Sequence, residues 1–128
     1  MYIVKKSIVM VLCTFLLLGC SIPKDELIKD MLAESEGHYT IYVFFEGMSQ
    51  LEFEEFEMEL LEIVNSDSRL EHFPLERMQI YSLSDVSKSD YVKAFSLQDT
   101  TILVFDTEKL VLETSESQQL KEFIENLH

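Results

Sequence analysis

The chain has 128 residues, 47% of them hydrophobic, with 24 acidic against 10 basic side chains and a formal charge of −14. That length is the natural content of one domain around one core, and so acidic a surface excludes nucleic-acid binding through phosphate neutralisation. The only two cysteines, Cys13 and Cys20, both fall within the first twenty residues, so little thiol chemistry is open to the rest of the chain.

Lys5 and Lys6 are the only early charges, and the run Ser7–Gly19 that follows has none. This run is too short for the roughly 20 apolar residues of a membrane-crossing helix. A charged start, a short apolar stretch and a small residue at its end mark a secretory signal instead. Leu17-Leu18-Gly19-Cys20 then resembles the lipobox of bacterial lipoproteins at all four positions. The resemblance implies cleavage between Gly19 and Cys20, transfer of a diacylglyceryl group to the Cys20 thiol, and residence as a lipid-anchored protein on the extracytoplasmic face of the cell membrane. Buried methylenes contribute about 0.8 kcal/mol each, so two acyl chains hold far more firmly than one. Residues 1–19 are thus expected to be a signal peptide, 20–37 a lipidated tether with a first helix, and 38–128 the domain proper. Cleavage removes Cys13 and acylation consumes the Cys20 thiol, so the mature chain has neither a free thiol nor a disulfide. It keeps eight basic and all 24 acidic residues, a formal charge of −16.

Ser21-Ile22-Pro23 can span about 10 Å at full stretch. From Lys24 a helix is predicted, with Asp25 and Glu26 in its first turn, Leu27, Ile28, Met31 and Leu32 on one face, and Gly37 as its stop. His38–Phe45 is predicted to be a central strand, because Ile41–Phe45 is apolar without alternation. Gly47 marks a turn. Ser49 with Glu52 forms a capping box opening a helix to about Asn65, whose inner face is Phe53, Phe56, Leu60 and Val64, with Leu61 and Ile63 alongside. The sequence then predicts a loop to Glu76, a strand over Arg77–Leu83, a weak helix over Asp85–Phe95 and a strand over Thr101–Phe105. A turn at Asp106–Lys109 leads into a strand over Leu110–Leu112, completing an antiparallel hairpin. Ser115 with Gln118 is expected to cap a last helix carrying Leu120, Phe123, Ile124 and Leu127. That order implies an α/β fold, a small mixed sheet with helices on both faces.

The order is similar to the thioredoxin fold. Val43-Phe44-Phe45-Glu46 with Glu54–Leu61 resembles the family's first core strand and active-site helix. Thr101–Asp106 with Leu120–Ile124 resembles its C-terminal hairpin and closing helix, so the likeness spans residues 38–127. In that family a Cys-x-x-Cys motif sits at the start of the helix, where the helix end lowers a thiol pKa. Gln50-Leu51-Glu52-Phe53 occupies those four positions here, and Thr100 matches the family's proline before the hairpin strand. Thiol–disulfide exchange is therefore excluded, and the expected protein is a non-catalytic, thioredoxin-like lipoprotein. The likeness extends to small lipoproteins of Gram-positive bacteria, some described as peptidoglycan-associated, which implies a binding or scaffolding role toward a cell-wall or envelope partner. No cofactor is implied.

Other constellations carry less. Glu52, Glu55, Glu59 and Glu62 line one helix face, a docking face for a cation or a basic partner or simply a solvated surface opposite the phenylalanines. His38, His72 and His128 share no metal-ligand spacing. Ser49, Ser82 and Ser84 lack a Gly-x-Ser-x-Gly context. A hydrolase built on paired carboxylates is the enzymatic alternative, and it demands a pocket with carboxylates of raised pKa.

Overall fold

A computed structural model of the protein describes residues 22–65 and 73–127. Its elements are α1 (Lys24–Met31), β1 (Tyr39–Phe45), α2 (Gln50–Asn65), β2 (Leu75–Ser82), α3 (Ser89–Ala94), β3 (Thr101–Phe105), β4 (Leu110–Thr114) and α4 (Ser117–Glu125), with a 3-10 turn Val86–Lys88 leading into α3. The four strands form one sheet in the order β2-β1-β3-β4. β1 runs parallel to β2 and antiparallel to β3, and β3 pairs antiparallel with β4. This is a small mixed sheet, as the order of elements predicted.

The apolar run in β1 explains its central place. Alternate side chains of a strand point to opposite faces, so a strand apolar at every position needs cover on both. Ile41 and Val43 point into a core built with Leu60 and Val64 of α2 and Leu120 and Ile124 of α4. Tyr42 and Phe44 point into a second core with Met31 of α1 and with Phe95 and Leu97 just beyond α3. The molecule is therefore three layers, α2 and α4 on one side of the sheet and α1 and α3 on the other. Phe44, Phe73, Phe95 and Phe105 are buried, whereas Phe45, Phe53, Phe56 and Phe123 are only partly covered.

Several sequence-based boundaries shift for local reasons. α1 stops at Met31 rather than near Gly37, because Leu32 turns extended (ψ 152°) and Ala33 N–H donates to the Asp106 carbonyl at 3.0 Å. Gly37, at φ +78°, instead turns the chain into β1. Leu61 is 42% exposed and lies away from the inner face of α2. β2 begins two residues earlier than expected, at Leu75, since Tyr39 N–H pairs with the Pro74 carbonyl and starts the parallel ladder. β4 runs on to Thr114. The Ser115–Gln118 box is not formed: α4 starts at Ser117, and Thr114 Oγ1 accepts from Glu116 N–H at 3.1 Å and bonds to Gln119 Oε1. At the hairpin, Asp106 Oδ1 accepts from the N–H groups of Glu108 (2.7 Å) and Lys109 (2.8 Å), a side-chain mimic of a turn.

α3 ends in a Schellman motif without its usual glycine. Leu97 N–H reaches the Val92 carbonyl at 2.9 Å and Ser96 N–H the Lys93 carbonyl at 3.3 Å. Ser96 holds φ 52° to do so, a conformation that costs a residue with a Cβ roughly 1–2 kcal/mol. Relief of that strain is partly offset by the extra freedom glycine has when unfolded. Ser96→Gly is accordingly expected to raise stability by about 0.5 kcal/mol, read as an increased urea midpoint at unchanged slope.

The segment joining α1 to β1 is clasped to the edge strand. Glu76 accepts from Glu34 N–H at 2.7 Å and from Ser35 N–H at 3.2 Å, and the first of these bonds does most to hold its carboxyl below the ordinary glutamate range. Arg77 Nη2 donates to the Asp30 carbonyl at 3.0 Å, its guanidinium lies 5.6 Å from the Tyr42 ring centre, and its Nε is buried without a hydrogen-bond partner. Burial pushes the Tyr42 phenol up, and Arg77 opposes that shift. A carboxylate whose pKa is depressed by folding stabilises the fold above its unfolded value, and that contribution disappears as pH falls through the folded value. Glu76→Gln is therefore expected to lower the urea midpoint above about pH 4.3, the unfolded glutamate value, and to flatten its pH dependence below that value.

Candidate functional site

The loop from β1 to α2 and the start of α2 are where the likeness drawn from the sequence put its candidate site, Gln50-Leu51-Glu52-Phe53. Gly47, at φ +67°, turns the chain out of β1. The capping box is made: Glu52 N–H donates to Ser49 Oγ at 3.2 Å, and Ser49 N–H donates back to Glu52 Oε2 at 3.3 Å. Gln50 Nε2 donates to Glu54 Oε1 at 3.3 Å. Phe53 turns inward and packs its ring on Phe45, 4.6 Å between centres. Opposite, Thr100 Oγ1 accepts from Glu46 N–H at 3.1 Å, tying the β1–α2 loop to the entry of β3. Of the four residues in the Cys-x-x-Cys positions, then, Gln50 bonds along the helix, Glu52 caps it and Phe53 fills a gap beside the sheet. Leu51 is the one large apolar side chain of the four left in solvent, 66% exposed.

The four glutamates singled out in the sequence are all exposed on α2, but their surroundings differ. Glu52 closes the cap, and Glu59 Oε1 accepts from Ser117 Oγ at 2.7 Å, linking α2 to the start of α4. Glu55 and Glu62 stay outward. Beside them runs a feature that sequence reasoning missed. Leu51, Met58 (70% exposed) and Leu61 are three of the five large hydrophobic side chains exposed among the described residues. At 100° per residue Leu51 and Met58 fall on the same line of the helix, with Leu61 beside them. The signal was present as apolar residues at i, i+7 and i+10 among glutamates. The phenylalanine stripe on the opposite face drew Leu61 into the wrong set.

The remaining candidates are dispersed. His38 is exposed, with Nδ1 at 3.2 Å from the Glu36 carbonyl. His72, His128, Gly19 and Cys20 lie outside the described residues. Ser49 serves the helix cap, and Ser82 and Ser84 share a hydroxyl–hydroxyl bond of 2.8 Å. No group of three or more His, Cys, Asp or Glu side chains among the described residues is placed to hold a metal ion. Among the described residues the carboxylates displaced from their ordinary pKa are Glu76 and Asp85, and both move down, Asp85 chiefly through its bonds from Ser87. Among the described residues no helix is long and apolar enough to cross a membrane.

No family model matches the chain. No curated protein matches it. Among solved structures it is similar to the crystal structure of Trxlp from Edwardsiella tarda EIB202, at 13% sequence identity and a TM-score of 0.49, over 69% of this chain and 82% of that one.

Proposed function

We propose that the protein is a lipoprotein, anchored through Cys20 to the outer face of the cytoplasmic membrane, whose thioredoxin-like domain is a non-redox binding or scaffolding module of the cell envelope. The observation that carries this reading is the start of α2. Where a redox member would present two thiols, three of four side chains are engaged in building the fold, and residues 21–128 contain no cysteine at all. The lipobox at Leu17–Cys20 supports the anchor, and a cell-wall or envelope protein is the class of partner that an anchored domain on a short tether can reach.

The partner face on this reading is the outer side of α2, Leu51, Met58 and Leu61 bordered by Glu55 and Glu62. Exposed apolar side chains ringed by one sign of charge favour a basic protein segment over a bare cation, which would gain nothing from leucine and methionine.

Mass spectrometry of protein extracted from membranes tests the anchor: a chain starting at a diacylglyceryl-modified Cys20 is expected, and an intact Met1 or a free thiol at position 20 overturns it. In-cell crosslinking tests the module, comparing the natural chain with Met58→Ser. Recovery of an envelope partner that the variant loses is expected, and an identical yield from both chains overturns the assigned face.

A further inference from the structure

The two helical layers differ sharply in charge. α1, the 3-10 turn with its Asp85 cap, and α3 together carry Lys24, Lys29, Lys88 and Lys93 against five carboxylates. α2 and α4 carry eight glutamates against the single cation Lys121. One face of the sheet is thus nearly neutral and rich in lysine, and the other is strongly negative.

The anchored end of the chain enters on the lysine side. Lys24 Nζ sits 4.9 Å from the centre of the Phe95 ring, which fixes the first residue of α1 against the end of α3. The other end of α1 is held through the Arg77–Asp30 bond and the bond from Thr40 Oγ1 to the Met31 carbonyl. Helix α1 is therefore part of the body rather than a loose lead, and only Ser21, Ile22 and Pro23 separate it from Cys20. Lys88 Nζ lies over Tyr81 at 4.4 Å, on the same side of the sheet.

We infer that the α1–α3 face rests against the anionic phospholipid headgroups of the bilayer, and that the acidic α2–α4 face is thereby turned away from it. This rests on the lipoprotein reading above. A tether of about 10 Å keeps the body within reach of a surface potential that decays over about 8 Å at physiological salt. Within that range the orientation matters. Turning the glutamates inward would place seven net negative charges against a negative surface, whereas turning the other side inward places one, offers four lysines to the headgroups, and leaves the glutamates roughly 20 Å away, across two layer spacings of about 10 Å. Like-charge repulsion and a short leash together select one orientation. The same orientation exposes Leu51, Met58 and Leu61 to whatever approaches from outside the cell membrane.

The test uses the full lipidated protein, extracted in detergent and reconstituted into vesicles of mixed zwitterionic and anionic phospholipid. Ser89→Cys on α3 and Met58→Cys on α2, both at exposed positions, are labelled with a fluorophore and exposed to a quencher carried on lipid headgroups. Quenching at position 89 is expected to be several-fold stronger than at 58, and the difference is expected to shrink in vesicles of zwitterionic lipid alone. Incorporation with equal or reversed quenching overturns the orientation and leaves the anchor standing. Failure of the membrane-extracted chain to incorporate at all, with a free Cys20 by mass spectrometry, overturns the anchor and the orientation with it.

Discussion

Cys20→Ser is expected to abolish incorporation of labelled fatty acid into the protein, reducing it from one lipidated species to background. The physical reason lies at a single atom. A diacylglyceryl group is carried on a thioether, and a serine hydroxyl is too weak a nucleophile to replace a thiolate in forming it. A single acyl chain gives only marginal, reversible membrane binding, while two give stable anchoring, so the variant loses the anchor outright rather than by degrees. The domain itself should be untouched: Ile22 and Pro23 are exposed, and Lys24 packs on Phe95. The soluble region of the variant should therefore unfold at the same urea midpoint as the natural one. Retention of fatty acid by Cys20→Ser would show that acylation, if present, occurs elsewhere, and the lipobox reading would fall.

How far the sequence foretold the fold depended on whether a segment's signal was local. β1 and β3 were legible because an unbroken apolar run has one structural meaning, burial on both faces, and both strands are interior to the sheet. α2 was legible at its start because a capping box is complete within four residues. The end of α1 was not, because it is set by a partner 73 positions along the chain, the Asp106 carbonyl that takes the Ala33 N–H. The start of α4 misled for a similar reason: Ser115 offers a cap by its spacing, but Thr114, fixed at the end of β4, already supplies the acceptor. The candidate site divided in the same way. That Gln50 to Phe53 carry no thiol is written in the sequence. That Glu59 is tied to Ser117 while Leu51, Met58 and Leu61 stand clear depends on where α4 packs, which no local pattern reveals.

The largest stability effect is expected from Phe44→Ala. Phe44 is fully buried in the central strand, with ring centres 5.8 Å from Tyr81 and 6.0 Å from Tyr91. Truncating such a side chain removes its transfer free energy and leaves a cavity that neighbours on a four-stranded sheet cannot close, a loss of about 3–5 kcal/mol. Domains of this size have only about 5–15 kcal/mol in all, and this one has no disulfide among residues 21–128 to restrain its unfolded chain. Phe44→Ala should accordingly lower the urea midpoint by roughly a fifth or more at unchanged slope. Phe53→Ala, which removes a partly covered ring at the start of α2, should cost only about 1–2 kcal/mol. Met58→Ser, at an exposed position, should fall within about 0.5 kcal/mol of the natural chain. That gradient separates the core from the face it supports: a partner lost with Met58→Ser at unchanged midpoint is lost from the surface, whereas a partner lost with Phe44→Ala shows only that the sheet must be folded.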